Sequence, residues 1–254
     1  MPRSRVLVIV AVLTLAVGIG GLVVYDQVLR GDSAPALALP TASTASTAPA
    51  ASTTPGASPA AGNSASPAAS LDGGVAGTWT VTTGSEAGYR VREQLASLPA
   101  ESDAVGRTGQ ITGSITLETN GSTTTLTAAT ITVDTTSITS DKSQRDNRLR
   151  TEGLQTDSFP TATFTLTQPV EVPAAALTGT PSDVTLTGDL TLHGVTKSVR
   201  IPAKAQLVNV TVQVAGSLAF PLTDHSIVAP NIGGFIVSIA DTGTLEFLVS
   251  YSRS

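Results

Sequence analysis

The chain contains no cysteine. Disulfide cross-links are excluded, and with them thiolate nucleophiles and cysteine-ligated zinc, so any exported domain here must be held together by packing. Histidine is almost as scarce, at two residues in 254. His193 falls on a predicted turn, where backbone geometry explains it. His225 stands between Asp224 and Ser226, but neighbours in an extended segment point to opposite faces, so these three cannot combine into an acid–base–nucleophile set. No GxSxG, HExxH or phosphate-loop pattern occurs in the folded part, and no spacing supports a metal site. The sequence therefore reads as non-catalytic, with no catalytic residue, metal or cofactor assigned. The enzymatic alternative is a lipid-modifying hydrolase working through two carboxylates, which need no local motif.

Charge is thin as well: 13% of residues are charged, and the formal net charge is −5, against roughly a quarter charged in an ordinary soluble protein. Two segments account for the deficit. Val6–Val24 reads VLVIVAVLTLAVGIGGLVV, without a single charge; at about 1.5 Å per residue it spans roughly 28 Å of helix, enough to cross a bilayer core. Arg3 and Arg5 precede it and Asp26 follows, which keeps the N-terminus cytoplasmic and sends the remainder outside. The rival is a cleaved signal peptide, but such a segment ends near a small-residue cleavage site, and here Val23-Val24-Tyr25-Asp26-Gln27 follows the apolar core. Residues 1–30 are expected to be an uncleaved, single-pass anchor in the cell membrane, with the C-terminal domain extracytoplasmic.

Residues 31–76 shift to Ala, Ser, Thr and Pro, with Asp32 and Asp72 the only charges. Such a stretch buries too little apolar surface to offset its ordering entropy and is expected to be a disordered linker. Residues 77–254 remain as one domain with a substantial core. It holds eleven Lys and Arg against sixteen Asp and Glu, which gives no basic footprint for nucleic acid.

That domain is patterned for strands. Val184, Leu186, Leu190 and Leu192 share one face of a segment whose other face is Thr185, Thr187, Asp189 and Thr191. His193-Gly194 then forms a two-residue hairpin turn, and Val195, Val199 and Ile201 resume the apolar face. Asn120-Gly121 is a second hairpin signal. Ala162, Phe164 and Leu166 alternate with threonines, Val208 through Val214 alternate with polar residues, and Phe235-Val237-Ile239 and Leu245-Phe247-Val249 form two further rows. About eight or nine antiparallel strands result, to be closed as a barrel or stacked as a sandwich. Ser140–Asp157 breaks the pattern: Ser140 or Asp141 is positioned to cap a short helix through Leu149, with Gly153 ending it.

These pieces, in this order, resemble the YceI-like family of polyisoprenoid-binding periplasmic proteins. The residues that carry the resemblance are Gly77-Thr-Trp79, Tyr89-Arg90-Val91, Gly113-Ser-Ile-Thr116, Ile131-Thr-Val-Asp-Thr-Thr-Ser-Ile138, Arg145-Asp146 with Leu149, Asp157-Ser-Phe-Pro-Thr-Ala-Thr-Phe164 and, above all, Gly188-Asp-Leu-Thr-Leu-His-Gly-Val-Thr-Lys197. The resemblance implies an antiparallel, lipocalin-like β-barrel with a long isoprenoid chain in its lumen. Ser85–Arg90 departs from the family's usual first strand, as do the anchor and linker, so the ligand need not be identical.

About eight strands leave an interior that is either just filled or wide enough for one slender ligand. If hollow, the domain is a carrier whose partner is an isoprenoid or other long-chain lipid, bound for storage or transport. If filled, it is a structural or interaction module of the cell envelope. The candidate lumen residues are the large apolar ones on strand faces, Phe164, Leu166, Leu190, Leu192, Phe220, Phe235 and Phe247. Tyr89, Arg145 and Arg148 are candidates for polar contacts at the entrance.

Overall fold

The computed structural model describes residues 33–40, 74–95, 101–229 and 236–254. The expected anchor at Val6–Val24 and Phe235 lie outside them. Among the described residues no helix is long and apolar enough to cross a membrane.

Twelve strands form among the described residues: β1 (Gly77–Val81), β2 (Glu86–Leu95), β3 (Ser102–Thr108), β4 (Ile111–Asn120), β5 (Thr123–Asp134), β6 (Thr139–Ser140), β7 (Thr161–Leu166), β8 (Val170–Val172), β9 (Ser182–Leu192), β10 (Val195–Val208), β11 (Thr211–Pro221) and β12 (Ile236–Arg253). Eight of them close a ring in the order β1-β4-β5-β7-β9-β10-β11-β12, with β12 returning to β1, and every pairing is antiparallel. Closure removes the exposed edges that so many threonine- and valine-rich strands would otherwise present. β12 serves two partners along one edge: Tyr251–Arg253 pair with β1, and Gly243–Leu248 with β2. β2 in turn carries β3 and β6, which extend the wall on that side.

The hairpins follow local backbone chemistry. His193 and Gly194 both adopt positive φ, 50° and 72°, and Leu192 pairs with Val195, the geometry of a two-residue loop. At the other expected hairpin the turn sits one residue later than the Asn120-Gly121 signal suggests, on Gly121 and Ser122, with Asn120 paired to Thr123. The valine row differs more. Val208 to Val214 is not one strand: Asn209 takes φ 56° and turns the chain, leaving Val208 and Val210 exposed. Across a two-residue turn the inward parity switches, from Leu207 on β10 to its partner Val212 on β11. Alternation in sequence therefore ran through a loop without marking it.

The helical insertion is present as helix α1 (Ser143–Arg148), continued by a single wide turn over Leu149–Gly153. Its N-cap is Lys142, not Ser140 or Asp141. The carboxylate of Asp146 instead reaches back, accepting from the Ser140 amide at 2.9 Å and its hydroxyl at 2.6 Å. The first turn and the preceding strand are thereby tied by one side chain.

Two apolar clusters occupy the interior. The larger fills one half of the barrel around Trp79, Ile115, Leu117, Ala129, Val212, Val249 and Tyr251. Trp79 is fully buried, and its indole N–H donates to the Val75 carbonyl at 3.0 Å. A smaller cluster, Leu192, Phe220, Leu222 and Ile227, lies toward the end covered by the insertion.

Candidate functional site

Between these clusters the barrel is hollow. A cavity of about 210 Å³ is walled by inward residues of β2, β5, β7, β9, β11 and β12 and by Leu149 and Leu154 of the insertion. An apolar protein cavity of about 150 Å³ already stays dry and accepts a benzene-sized guest. The fork between a filled and a hollow interior is thus resolved within one molecule, with a packed half and an open half.

Two aromatic rings shape the bore. A Cβ on Gly188 would stand 2.6 Å from the Phe164 ring, and one on Gly216 would stand 2.7 Å from the Phe247 ring. The tip of each ring therefore sits over a glycine on an adjacent strand. A larger residue at either glycine would push its ring into the open space.

Of the residues expected to face the lumen, Phe164, Leu190, Leu192, Phe220 and Phe247 line the cavity, and so do Tyr89, Arg145 and Arg148. Leu166 does not: it sits two residues beyond Phe164 on β7 and packs against the filled half. Inward orientation was read correctly from the alternation, but depth along the barrel axis was not, because period two carries no information about height. Several lining residues were missed, among them Ala87, Val91, Ala104, Ile131, Leu154, Ile227 and Glu93. Glu93 carried a signal: it continues the inward row Ala87-Tyr89-Val91 as a carboxylate on an apolar face.

Glu93 defines the polar end of the cavity. Its side chain is 3% exposed, and its Oε1 lies 2.5 Å from Nη2 of Arg145. Arg145 also pairs with Asp141 through Nη1. Burial works against the Arg145 cation, but the hydrogen bond and charge of Glu93, then those of Asp141, hold its pKa above the ordinary guanidinium value. Arg148 is half-exposed and pairs with Glu152 one turn on, at 2.5 Å. The Tyr89 hydroxyl is buried without a hydrogen-bond partner, as is Nε of Arg145. Burial pushes the Tyr89 hydroxyl up to about 12. A buried polar atom left unsatisfied costs about 1–3 kcal/mol. Two such atoms beside an apolar cavity suit a guest that is greasy along its length and polar at one end.

The histidines serve packing. Nδ1 of His225 donates to the Val195 carbonyl at 3.1 Å, and its ring stands edge-on to Phe220 at 5.5 Å. His193 bonds the His225 carbonyl at 3.0 Å and meets Phe159 edge-on at 4.5 Å. They tie the β9–β10 turn to the segment after β11.

The model of the YceI-like domain matches residues 79–251. The chain belongs to the YceI-like family. That match spans the whole barrel, from Trp79 on β1 to Tyr251 on β12, and agrees with the resemblance carried by the Gly188–Lys197 hairpin. Among solved structures, a polyisoprenoid binding domain from Saccharophagus degradans implicated in plant cell wall breakdown is 21% identical, with a TM-score of 0.54 over 71% of this YceI-like chain and 100% of that one; it shares the fold. BcnA of Burkholderia cenocepacia is 18% identical, with a TM-score of 0.49 over 65% and 95% of the two chains. The Campylobacter jejuni YceI protein is 16% identical, with a TM-score of 0.47 over 59% and 84%. No curated protein matches this YceI-like chain.

Proposed function

We propose that this domain binds a long apolar lipid, an isoprenoid in the first instance, non-covalently in the hollow half of its barrel. The observation that carries the reading is the apolar cavity of about 210 Å³ that ends at Tyr89, Glu93 and Arg145. The hydrocarbon lies against Phe164, Leu190, Leu192, Phe220 and Phe247. The polar head meets the unpartnered Tyr89 hydroxyl and the guanidinium groups of Arg145 and Arg148. At about 25 cal/mol per Å² of buried apolar surface, each isoprene unit adds from several tenths to a few kcal/mol, so affinity climbs with chain length until the lumen is full. The polyisoprenoid binding domain of Saccharophagus degradans, which has the same fold, supports this choice of ligand.

Residues 1–30 anchor the chain in the cell membrane and hold the barrel on the extracytoplasmic side, where it stores lipid or passes it on. Proximity to the bilayer raises the frequency of encounter with membrane lipid. No step of bond making or breaking belongs to this function.

Native mass spectrometry of the full-length chain, released under mild conditions and offered polyprenols of increasing length, tests it. A bound adduct whose retention rises with length and then levels off is expected. A bare protein mass at every length overturns the proposal.

A further inference from the structure

A short piece of the N-terminal stretch lies on the outside of the hollow half. Phe247, Val249 and Tyr251 pack into the barrel interior, so the Glu246 side chain, one residue out of step with them on β12, points outward, as do Arg90 between Tyr89 and Val91 on β2 and Arg107 on β3. Their side chains form one network. Arg90 Nε is 2.7 Å from Glu246 Oε1, Arg90 Nη1 is 3.0 Å from Asp103 Oδ2, and Arg107 Nη2 is 2.7 Å from Glu246 Oε2. Gly88 makes this possible: a Cβ there would stand 2.8 Å from Cδ of Arg107, whose side chain crosses the strand at that point.

Glu246 is only 4% exposed although it sits on the outer wall. What covers it is Ser33–Pro40, within the stretch expected to be a disordered linker. Arg90 Nη2 donates to the Ala34 carbonyl at 2.6 Å, and Arg107 Nη2 to the Pro35 carbonyl at 3.0 Å. The Leu37 amide donates to Glu246 Oε2 at 3.3 Å. Ser33 Oγ donates to the Asp103 carbonyl at 3.1 Å and accepts from the Asp103 amide at 3.3 Å, while Leu39 is buried. Two guanidinium groups read carbonyls and a carboxylate reads an amide, which is charge-assisted recognition of extended backbone. Leucine supplies the sequence preference: Leu37 and Leu39 are the only large aliphatic residues between Asp32 and Leu71.

The strap also has a direction. Ser33 binds at Asp103, which pairs with Arg92 beside the Glu93–Ser102 pair, and Leu37 binds farther along, at Glu246. Its N-terminal end therefore emerges at the same end of the barrel as Glu93 and Arg145.

We propose that the outer wall of β2, β3 and β12 is a binding site for an extended leucine-containing peptide, that its resident occupant is the chain's own Ser33–Pro40, and that this docking holds the polar end of the lumen next to the membrane anchor. The last clause rests on the anchoring proposed above. Nine residue steps separate Val24 from Ser33, at most about 30 Å when fully stretched. Fifty separate Val24 from Gly74, which allows up to about 170 Å. Docking thus shortens the working leash more than five-fold, by about that ratio.

The natural lack of cysteine allows clean labelling of the full-length chain. Nitroxides at Ala36→Cys and Ser198→Cys, both exposed positions, report strap docking by pulsed EPR in vesicles of phosphatidylcholine with phosphatidylglycerol. A narrow distance distribution is expected, broadening at least about two-fold when Leu37→Ser and Leu39→Asp are added. A distribution already broad before those substitutions overturns the binding site. A fluorophore at Arg150→Cys, on the insertion, reports energy transfer to a lipid-borne acceptor. Several-fold higher transfer with the strap intact supports the orientation, and equal transfer overturns it. Failure of the chain to float with vesicles overturns anchoring and orientation together, while the EPR result still decides the peptide site. Polyprenol uptake by the same variants stays unchanged if the lumen and the strap are separate sites, and its loss in the strap variant overturns that separation.

Discussion

Ala162→Leu gives opposite signs for a hollow and a filled interior. Ala162 lines the cavity on β7 and touches the small cluster of Leu192, Phe220, Leu222 and Ile227. Leucine adds three carbons. If they enter open space, each contributes about 0.8 kcal/mol of burial, or about 2.4 kcal/mol in all. The rotamers lost by leucine offset about 0.5–1 kcal/mol. The lipid-free protein should therefore gain about 1.5 kcal/mol, a rise in Tm of roughly 3–6 °C for a domain of this size. Polyprenol uptake should fall several-fold, because the same volume is now occupied. In a close-packed interior the extra methylenes cost about 1–3 kcal/mol instead. Ala129→Leu, in the filled half with Trp79 and Ile115, is the internal control and should destabilise by that amount. Chemical unfolding of delipidated wild-type and variant protein settles the matter, since bound ligand alone would stabilise by mass action and blur the comparison. A lowered midpoint for Ala162→Leu with unchanged lipid uptake would refute the hollow half.

Other substitutions address the polar end and the wall. Glu93→Leu should cost about 3–5 kcal/mol by leaving the Arg145 cation buried with its main partner gone, while Glu93→Leu with Arg145→Met should recover most of that loss in urea melts. Tyr89→Phe removes an unpartnered hydroxyl, so stability should hold or rise by about 1 kcal/mol while retention of a polar-headed lipid drops several-fold in native mass spectrometry. The Tyr89 hydroxyl is raised from its ordinary 10.0 to about 12, so the folded state keeps a proton that the unfolded chain releases. Stability from this group is complete below pH about 10 and is lost as pH rises toward about 12; Tyr89→Phe should flatten that decline in pH-dependent melts. Gly188→Ala places a Cβ 2.3 Å from the Thr165 carbonyl and 2.6 Å from Phe164, and should destabilise by about 1–3 kcal/mol while narrowing the lumen, read as a shorter optimum polyprenol.

The all-β fold was legible because alternation is a local property, visible in Leu186-Leu190-Leu192 and in Ala162-Phe164-Leu166. The His193-Gly194 turn was legible for the same reason, since two adjacent residues carry its chemistry. What could not be read depends on residues far apart in the chain. Leu166 and Phe164 share one face and both meet the packed half, yet only the shape of the assembled barrel decides that Phe164 alone also borders the lumen. Glu93 and Arg145 are 52 positions apart, and nothing local to either names the other. The strap escaped for a compositional reason. SAPALALP differs from the surrounding spacer by two leucines, and its partners Arg90, Arg107 and Glu246 are spread over three strands.

β12 joins the two halves of the molecule along a single backbone. Its C-terminal end zips to β1 beside the tryptophan-centred plug, and its middle zips to β2 beside the open lumen. The plug closes the base around Trp79, and the bowl lies where β12 has passed from β1 to β2. The result is a goblet: a solid stem beneath an open, apolar bowl.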